Sequence, residues 1–353
     1  MRFFDKYRRG LSLVLAVMLF ISLLTPAYAE TSRASPAPER KYIKWVEFNA
    51  PASLMKNLID LDVAAHGDPS APQIRWIEAL AYLAARCGGD FSKHKAAALN
   101  KLLDARKEGK TMAELTTDLK DYPYYLEAYT AVLGALVGEY EAETELAGRR
   151  IWEKKYGLRA YFPLAKGFDF SDYDDFGAGR SYGYRRKHLG HDLMALTGTP
   201  VIACESGVVE ELGWNQYGGW RVGIRSFDGL RYWYYAHLRQ NRPYAEGLER
   251  GDIVMAGDVI GYVGHTGYSA KENVNGVKES HLHWGLQLIF DPSQKDGENQ
   301  IWIDLYALTR LLENRRSETI RDPETKERSR AFGYREEVPQ NRFIPAPKEA
   351  GEA

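Results

Sequence analysis

Residues 281–284 read HLHW. In an extended chain residues i and i+2 point to the same side. His281 and His283 therefore project into one space, while Leu282 turns into the core. Two imidazoles side by side repel when both are protonated. A shared metal, or one metal ligand beside one base, resolves that. Six of the eight histidines lie between positions 188 and 283, so other partners are near in sequence. The stretch HLGHD (188–192) places His188 and Asp192 four apart. In a strand that spacing puts both on one face, and in a helix they are neighbours too. Gly190 between them lets the backbone bend without a Cβ penalty. His191 alternates away in an extended chain and is excluded as a ligand. His188, Asp192 and His283 form a set of two nitrogens and one oxygen. Such a set suits one zinc ion per chain with an open fourth position. The metal lowers the pKa of a bound water toward ~7 and polarises a carbonyl. His237, at the end of YYAHL, offers a donor to the oxyanion of a tetrahedral intermediate. His281 offers a general base. Spacing alone leaves the roles of these last two open.

Neither short motif is specific by itself. A cupin also uses HxH, but it wants a glutamate a few residues on, and here no acid follows before Asp291. The two motifs together, about 90 residues apart in a glycine-rich segment, are a strong signal.

The surrounding elements are legible from pattern. Arg2, Lys6, Arg8 and Arg9 precede the apolar run LSLVLAVMLFISLL, and AYA (27–29) follows. This is the layout of a secretory signal peptide over residues 1–29, and it implies export to the periplasm, cell wall or exterior. Membrane contact is expected only through that segment if it stays uncleaved. Residues 30–41 read as a linker. From 42 to 155 apolar stripes such as Leu54, Met55, Leu58 and Leu61 recur at helical spacing. Thr111 and Glu114 look like a capping box. This half reads as an all-α domain without a chemical cluster. From 160 to 316 short strand-like runs alternate with glycine turns, as in RVGIR and LRYWYYAHL around FDG. The fold class is α+β and multidomain: an N-terminal helical domain, then a mainly antiparallel β domain. The charged tail 317–353 reads as poorly ordered. Cys87 and Cys204 are too few for a cysteine-rich metal site and read as free thiols. A net charge of −1 with no basic tract excludes nucleic acid as an expected partner.

At this point the sequence resembles the lysostaphin-type (LytM-like) zinc metallopeptidases. The residues that carry the resemblance are FGAGR (176–180), RRKHLGHDLMALTGTPVIACESGVV (185–209), YYAHL (234–238), GDIVMAGDVIGYVGHTGYS (251–269) and SHLHWGLQL (280–288). It spans roughly 165–310. The resemblance implies that His188, Asp192 and His283 are zinc ligands and that His281 and His237 act catalytically. It implies a LytM-type peptidase fold and hydrolysis of peptide bonds in bacterial peptidoglycan cross-links or stem peptides. Trp220, Tyr217 and Asn275 are expected to bind substrate, since a flat peptide–sugar polymer favours aromatic walls. Trp233, Tyr234 and Tyr235 read rather as strand packing. The loop 269–279 is longer than in compact relatives and is expected to wall one side of the groove. Two rivals accompany this reading. One is a catalytically silent wall-binding scaffold or regulator. The other is an autoinhibited enzyme in which FDFSDYDDF (168–176) lies across the groove.

Overall fold

The computed structural model describes residues 43–346 except 183 and 298. The expected signal peptide and the linker lie outside the described residues. Helices come first: α1 (Ala52–Gly67), α2 (Trp76–Cys87), α3 (Ala96–Lys107), α4 (Met112–Thr116) and α5 (Tyr122–Leu133). The capping box forms as its spacing predicts. Thr111 accepts from the Glu114 backbone, and Glu114 accepts from the Thr111 backbone at 2.7 Å. Gly88 closes α2 in the left-handed conformation that glycine adopts at low cost.

Helical structure ends earlier than the expected boundary at 155. A β-hairpin follows, β1 (Val137–Leu146) and β2 (Arg149–Leu158). Its sequence alternates: Glu139, Glu141, Glu143 and Glu145 share one side, and Glu141 and Glu145 stand opposite Lys154 and Arg150. That period of two favours a ladder over a helix.

The next strands are β3 (Ser171–Asp172), β4 (Gly179–Tyr182), β5 (Tyr184–Lys187), β6 (His191–Met194), β7 (Pro200–Ile202), β8 (Gly207–Asn215), β9 (Gly219–Ser226) and β10 (Arg231–Leu238). They continue with β11 (Ile253–Val254), β12 (Val259–Tyr262), β13 (His281–Leu288) and β14 (Ile301–Trp302). One antiparallel sheet runs β11-β8-β9-β10-β13-β6-β3, with β14 added at β13. The FDG turn joins β9 to β10 as expected. Helix α6 (Tyr306–Leu312) follows.

The helices do not form a core of their own. Met55, Leu58, Leu80 and Leu133 belong to the same buried cluster as Trp233, Trp284, Leu286 and Leu308, and the described residues from 43 to 346 fall in one compact unit. Arg231, fully buried on β10, ties the two parts together. It bonds Glu205 and Asp228 and donates to the Ala131 carbonyl of α5 at 2.8 Å.

The tail also differs from the expected disorder. β15 (Thr319–Arg321) pairs with β16 (Arg328–Arg330), and β17 (Tyr334–Arg335) extends the hairpin sheet beside β1. Its charges find partners that composition does not reveal. Arg330 bonds Asp258, Arg335 bonds Glu141, and Tyr334 stacks on Tyr140. Both cysteines are free thiols, Cys204 buried and Cys87 partly so.

Candidate metal centre

Strand β13 delivers the histidine pair as its pleat requires. Leu282, Trp284 and Leu286 are fully buried on the core face. His281, His283 and Gln287 face a groove of about 740 Å³. On the neighbouring strand β6, Asp192 stands directly opposite His283.

His188 arrives by a different route from the continuous strand that the spacing suggests. The chain leaves β5 at Lys187, turns through Leu189 and Gly190, and re-enters the sheet at His191. His188 is held outside the sheet by backbone bonds to Ala178 and Gly177, each 2.8 Å. Gly190 is needed for space. A Cβ there would lie 2.6 Å from the His283 ring and 2.9 Å from the Trp284 carbonyl.

Three donor atoms converge at this point. His188 Nε2, Asp192 Oδ1 and His283 Nδ1 are mutually 3.0 Å apart. Four ligands about 2.0–2.1 Å from a tetrahedral zinc stand ~3.3 Å from one another, so this triangle is close to the size the ion needs. Nitrogen and carboxylate donors also suit its chemistry. His188, Asp192 and His283 form the group among the described residues that could hold a metal.

The surrounding contacts fix the orientation of these donors. His188 Nδ1 lies 3.0 Å from Asp175 Oδ1, so that nitrogen carries the hydrogen and Nε2 presents its lone pair. Arg180 donates to Asp192 Oδ2 at 2.9 Å and also bonds Asp175. Asp192 is thus left with Oδ1 facing the two imidazoles. Burial alone would raise the Asp192 pKa. The close approach of the His188 and His283 rings, with the positive charge that His283 and His281 can carry, holds it far below the usual carboxylate range. For His188 burial opposes the charged form, but Asp192 and Asp175 outweigh it and raise the pKa.

His237 reaches the groove through an irregularity. Along β10, Tyr232, Tyr234 and Ala236 line the groove, while Trp233 and Tyr235 are buried in the core. Regular alternation would send His237 to the core. The β9–β10 register shifts between Tyr235 and Leu238, and His237 takes a φ of 58°. This bulge turns two successive side chains to one face. A left-handed conformation at a non-glycine residue is costly and is often found at functional sites. The Gly218 carbonyl accepts from His237 N at 2.7 Å and supports it.

Both extra imidazoles are pinned by carbonyls. His237 Nδ1 lies 2.8 Å from Thr266 O, and His281 Nδ1 lies 2.8 Å from Glu279 O. A carbonyl only accepts, so each Nδ1 carries the hydrogen and each Nε2 lone pair is free. His281 Nε2 is 3.7 Å from Asp192 Oδ1, and the His237 and His281 rings are 4.7 Å apart. Burial, then the charges of His281 and His283, push the His237 pKa down to about 3. His237 is therefore neutral near pH 7, with its Nε2 lone pair available to accept.

The other expected residues divide. Tyr217 lines the groove. Trp220 is instead tied into packing, donating to Asn273 and meeting Trp214 and Tyr244 edge-on. Asn275 bonds Gln240 and is not part of the groove lining. From the long loop, Val277, Lys278 and Glu279 do line the groove, with Tyr268 just before it. His191 pairs with Asp172, on the face away from the donors. In the acidic stretch, Asp172 bonds His191 and Arg310, and Asp175 sits on His188 Nδ1 rather than on the nitrogen that faces the other donors. Spacing did not point to Arg180 and Asp175. Their sign in the sequence is the glycine-flanked FGAGR ahead of the first motif.

The sequence profile described as Peptidase family M23 matches residues 186–296. Over 125 residues the chain is 43% identical to the L-Ala–D-Glu endopeptidase of Bacillus subtilis (strain 168), covering 35% of this chain and 37% of that protein. Over 89 residues it is 38% identical to lysostaphin of Staphylococcus simulans, covering 25% of this chain and 17% of that protein. The chain thus spans well under half the length of these curated relatives. A solved lytM structure from Ruminococcus gnavus ATCC 29149 is 27% identical with a TM-score of 0.46, covering 74% of this chain and 96% of that one.

Proposed function

From a chain whose residues 186–296 are a peptidase family M23 domain, we propose an exported, zinc-dependent endopeptidase that hydrolyses peptide bonds in bacterial peptidoglycan. The observation that carries this reading is the convergence of five side chains. His188, Asp192 and His283 form the donor triangle, and His281 and His237 turn free Nε2 atoms into the same groove. Similarity to proteins named L-Ala–D-Glu endopeptidase and glycyl-glycine endopeptidase supports a cell-wall peptide as the substrate.

His188, Asp192 and His283 would hold the ion. Zinc, when bound, supplies Lewis acidity toward the scissile carbonyl and lowers the pKa of water. A water seated before the carbonyl has two hydrogens, and the two Nε2 atoms can accept one each. His281 takes the proton as the water attacks, then returns it to the leaving amine. The same carbonyl bond that fixes its tautomer also fixes its direction. His237, being neutral, orients the water in the ground state. It donates to an oxyanion only after it gains a proton, which its burial opposes.

The silent-scaffold reading has less support. All five positions are filled, and in 168–176 Asp172 pairs with His191 while Asp175 bonds His188 Nδ1, the nitrogen that points away from the other donors. Digestion of purified peptidoglycan tests the proposal. Zinc-loaded protein is expected to release fragments with new peptide termini in mass spectra. A chelator should stop this and added zinc should restore it. Intact peptidoglycan after incubation with zinc-loaded protein would sink the enzyme reading.

A further inference from the structure

The groove lining carries six basic side chains: Arg180, Arg186, Lys187, Arg221, Lys278 and Lys295. Several already face carboxylates. Arg180 bonds Asp175 and Asp192. Arg221 and Lys295 share Glu211 at 2.9 and 3.1 Å. Lys278 lies 3.5 Å from Glu279. Lys187 is exposed to water.

Arg186 differs from all of these. It is half-buried, yet no carboxylate among the described residues pairs with it. Its guanidinium lies over the rings of Tyr217 and Tyr268, with Cζ 5.2 Å from each ring centre. Its side-chain hydrogen bond goes to the Tyr268 hydroxyl at 2.9 Å. Nη1 is buried without a hydrogen-bond partner among the described residues.

A clamp on the guanidinium face fixes its plane and leaves its edge to recognise a planar anion. A partly desolvated cation without a counter-charge is costly, and an anion bound beside it in the groove lowers that cost. The clamp is itself held under strain. Tyr268 has a φ of 49°, and the chain beside it is fixed by the Ser269 backbone donating to Gln216 O at 3.0 Å. The Tyr268 ring is 5.8 Å from the His237 ring. Arg186 therefore lies within about three extended residues of the reacting carbonyl.

We propose that Arg186 selects the substrate by binding a free carboxylate carried within a few residues of the scissile bond. The preferred peptide is then an acidic stem rather than an uncharged glycine bridge. This inference rests on the endopeptidase reading and narrows its substrate.

The test uses purified peptidoglycan fragments in two forms, one with carboxyl groups free and one with them converted to carboxamides. The full chain, loaded with zinc, is expected to cleave the free form at least about tenfold faster, the scale of a charge-assisted hydrogen bond. Arg186→Met should bring that ratio to within about twofold of unity, and Arg186→Lys should give an intermediate ratio. Equal cleavage of both forms by the wild-type protein overturns the inference while the endopeptidase reading stands. So does a wild-type ratio retained in Arg186→Met. Cleavage of neither form overturns the endopeptidase reading and this inference with it. The wild-type ratio needs no variant, so a poorly folding Arg186→Met does not blunt the test.

Discussion

His281→Ala is expected to lower kcat about 10²- to 10⁴-fold while zinc stays bound, because it removes a proton acceptor and no ligand. The expectation follows from geometry. His281 and His283 share one face of β13, but only His283 is within 3.0 Å of both other donors. His281 is 3.7 Å from Asp192, and its Nδ1 is occupied by Glu279 O. Its lone pair is free for a proton. KM should change little, since the lost interaction belongs to the transition state. Steady-state kinetics with parallel zinc analysis checks this. Loss of the ion together with activity would make His281 a ligand instead. Full activity would move the base to His237.

The second large effect concerns the joint between helices and sheet. Arg231→Met is expected to destabilise the fold by about 3–5 kcal/mol, the cost of leaving one member of a buried ion pair alone. Glu205 would keep its charge in the core, retaining only the Trp233 Nε1 bond at 2.7 Å. The Ala131 carbonyl would lose its donor. Such a loss is a large share of a typical stability of about 5–15 kcal/mol. Adding Glu205→Gln removes the charge but keeps an acceptor for Trp233, and should recover part of the loss. Denaturant unfolding of both variants measures this. If Arg231→Met unfolds at the wild-type midpoint, Arg231 does not join the two parts energetically.

The shared direction of His281 and His283 was legible because a strand's period of two makes HLH a statement about direction. HLGHD was legible by residue type but not by path. His188 and Asp192 meet through a turn, and Gly190 is there because the His283 ring occupies the space of a side chain. His237 could be suspected from its sequence neighbours, but the bulge that aims it depends on how β9 pairs with β10. FGAGR and FDFSDYDDF were singled out, but the contacts of Arg180 and Asp175 with Asp192 and His188 were not, because they reach the donors through the fold rather than by spacing. The stripe of Leu54, Met55, Leu58 and Leu61 correctly marked a helix. It did not show that its apolar face packs into the same core as Trp233 and Trp284. The tail misled for a related reason. Its charges look solvated in the sequence, whereas Asp258, Glu141 and two tyrosine rings receive them in the fold.

The proposed chemistry requires one ion held by His188, Asp192 and His283. The most direct measurement is the zinc content per chain of the purified, zinc-loaded and desalted protein, set beside His283→Ala and His237→Ala. One zinc per chain in the wild type and in His237→Ala, with loss from His283→Ala, is the predicted result. Retention of one zinc per chain by His283→Ala, or none in the wild type, would contradict it.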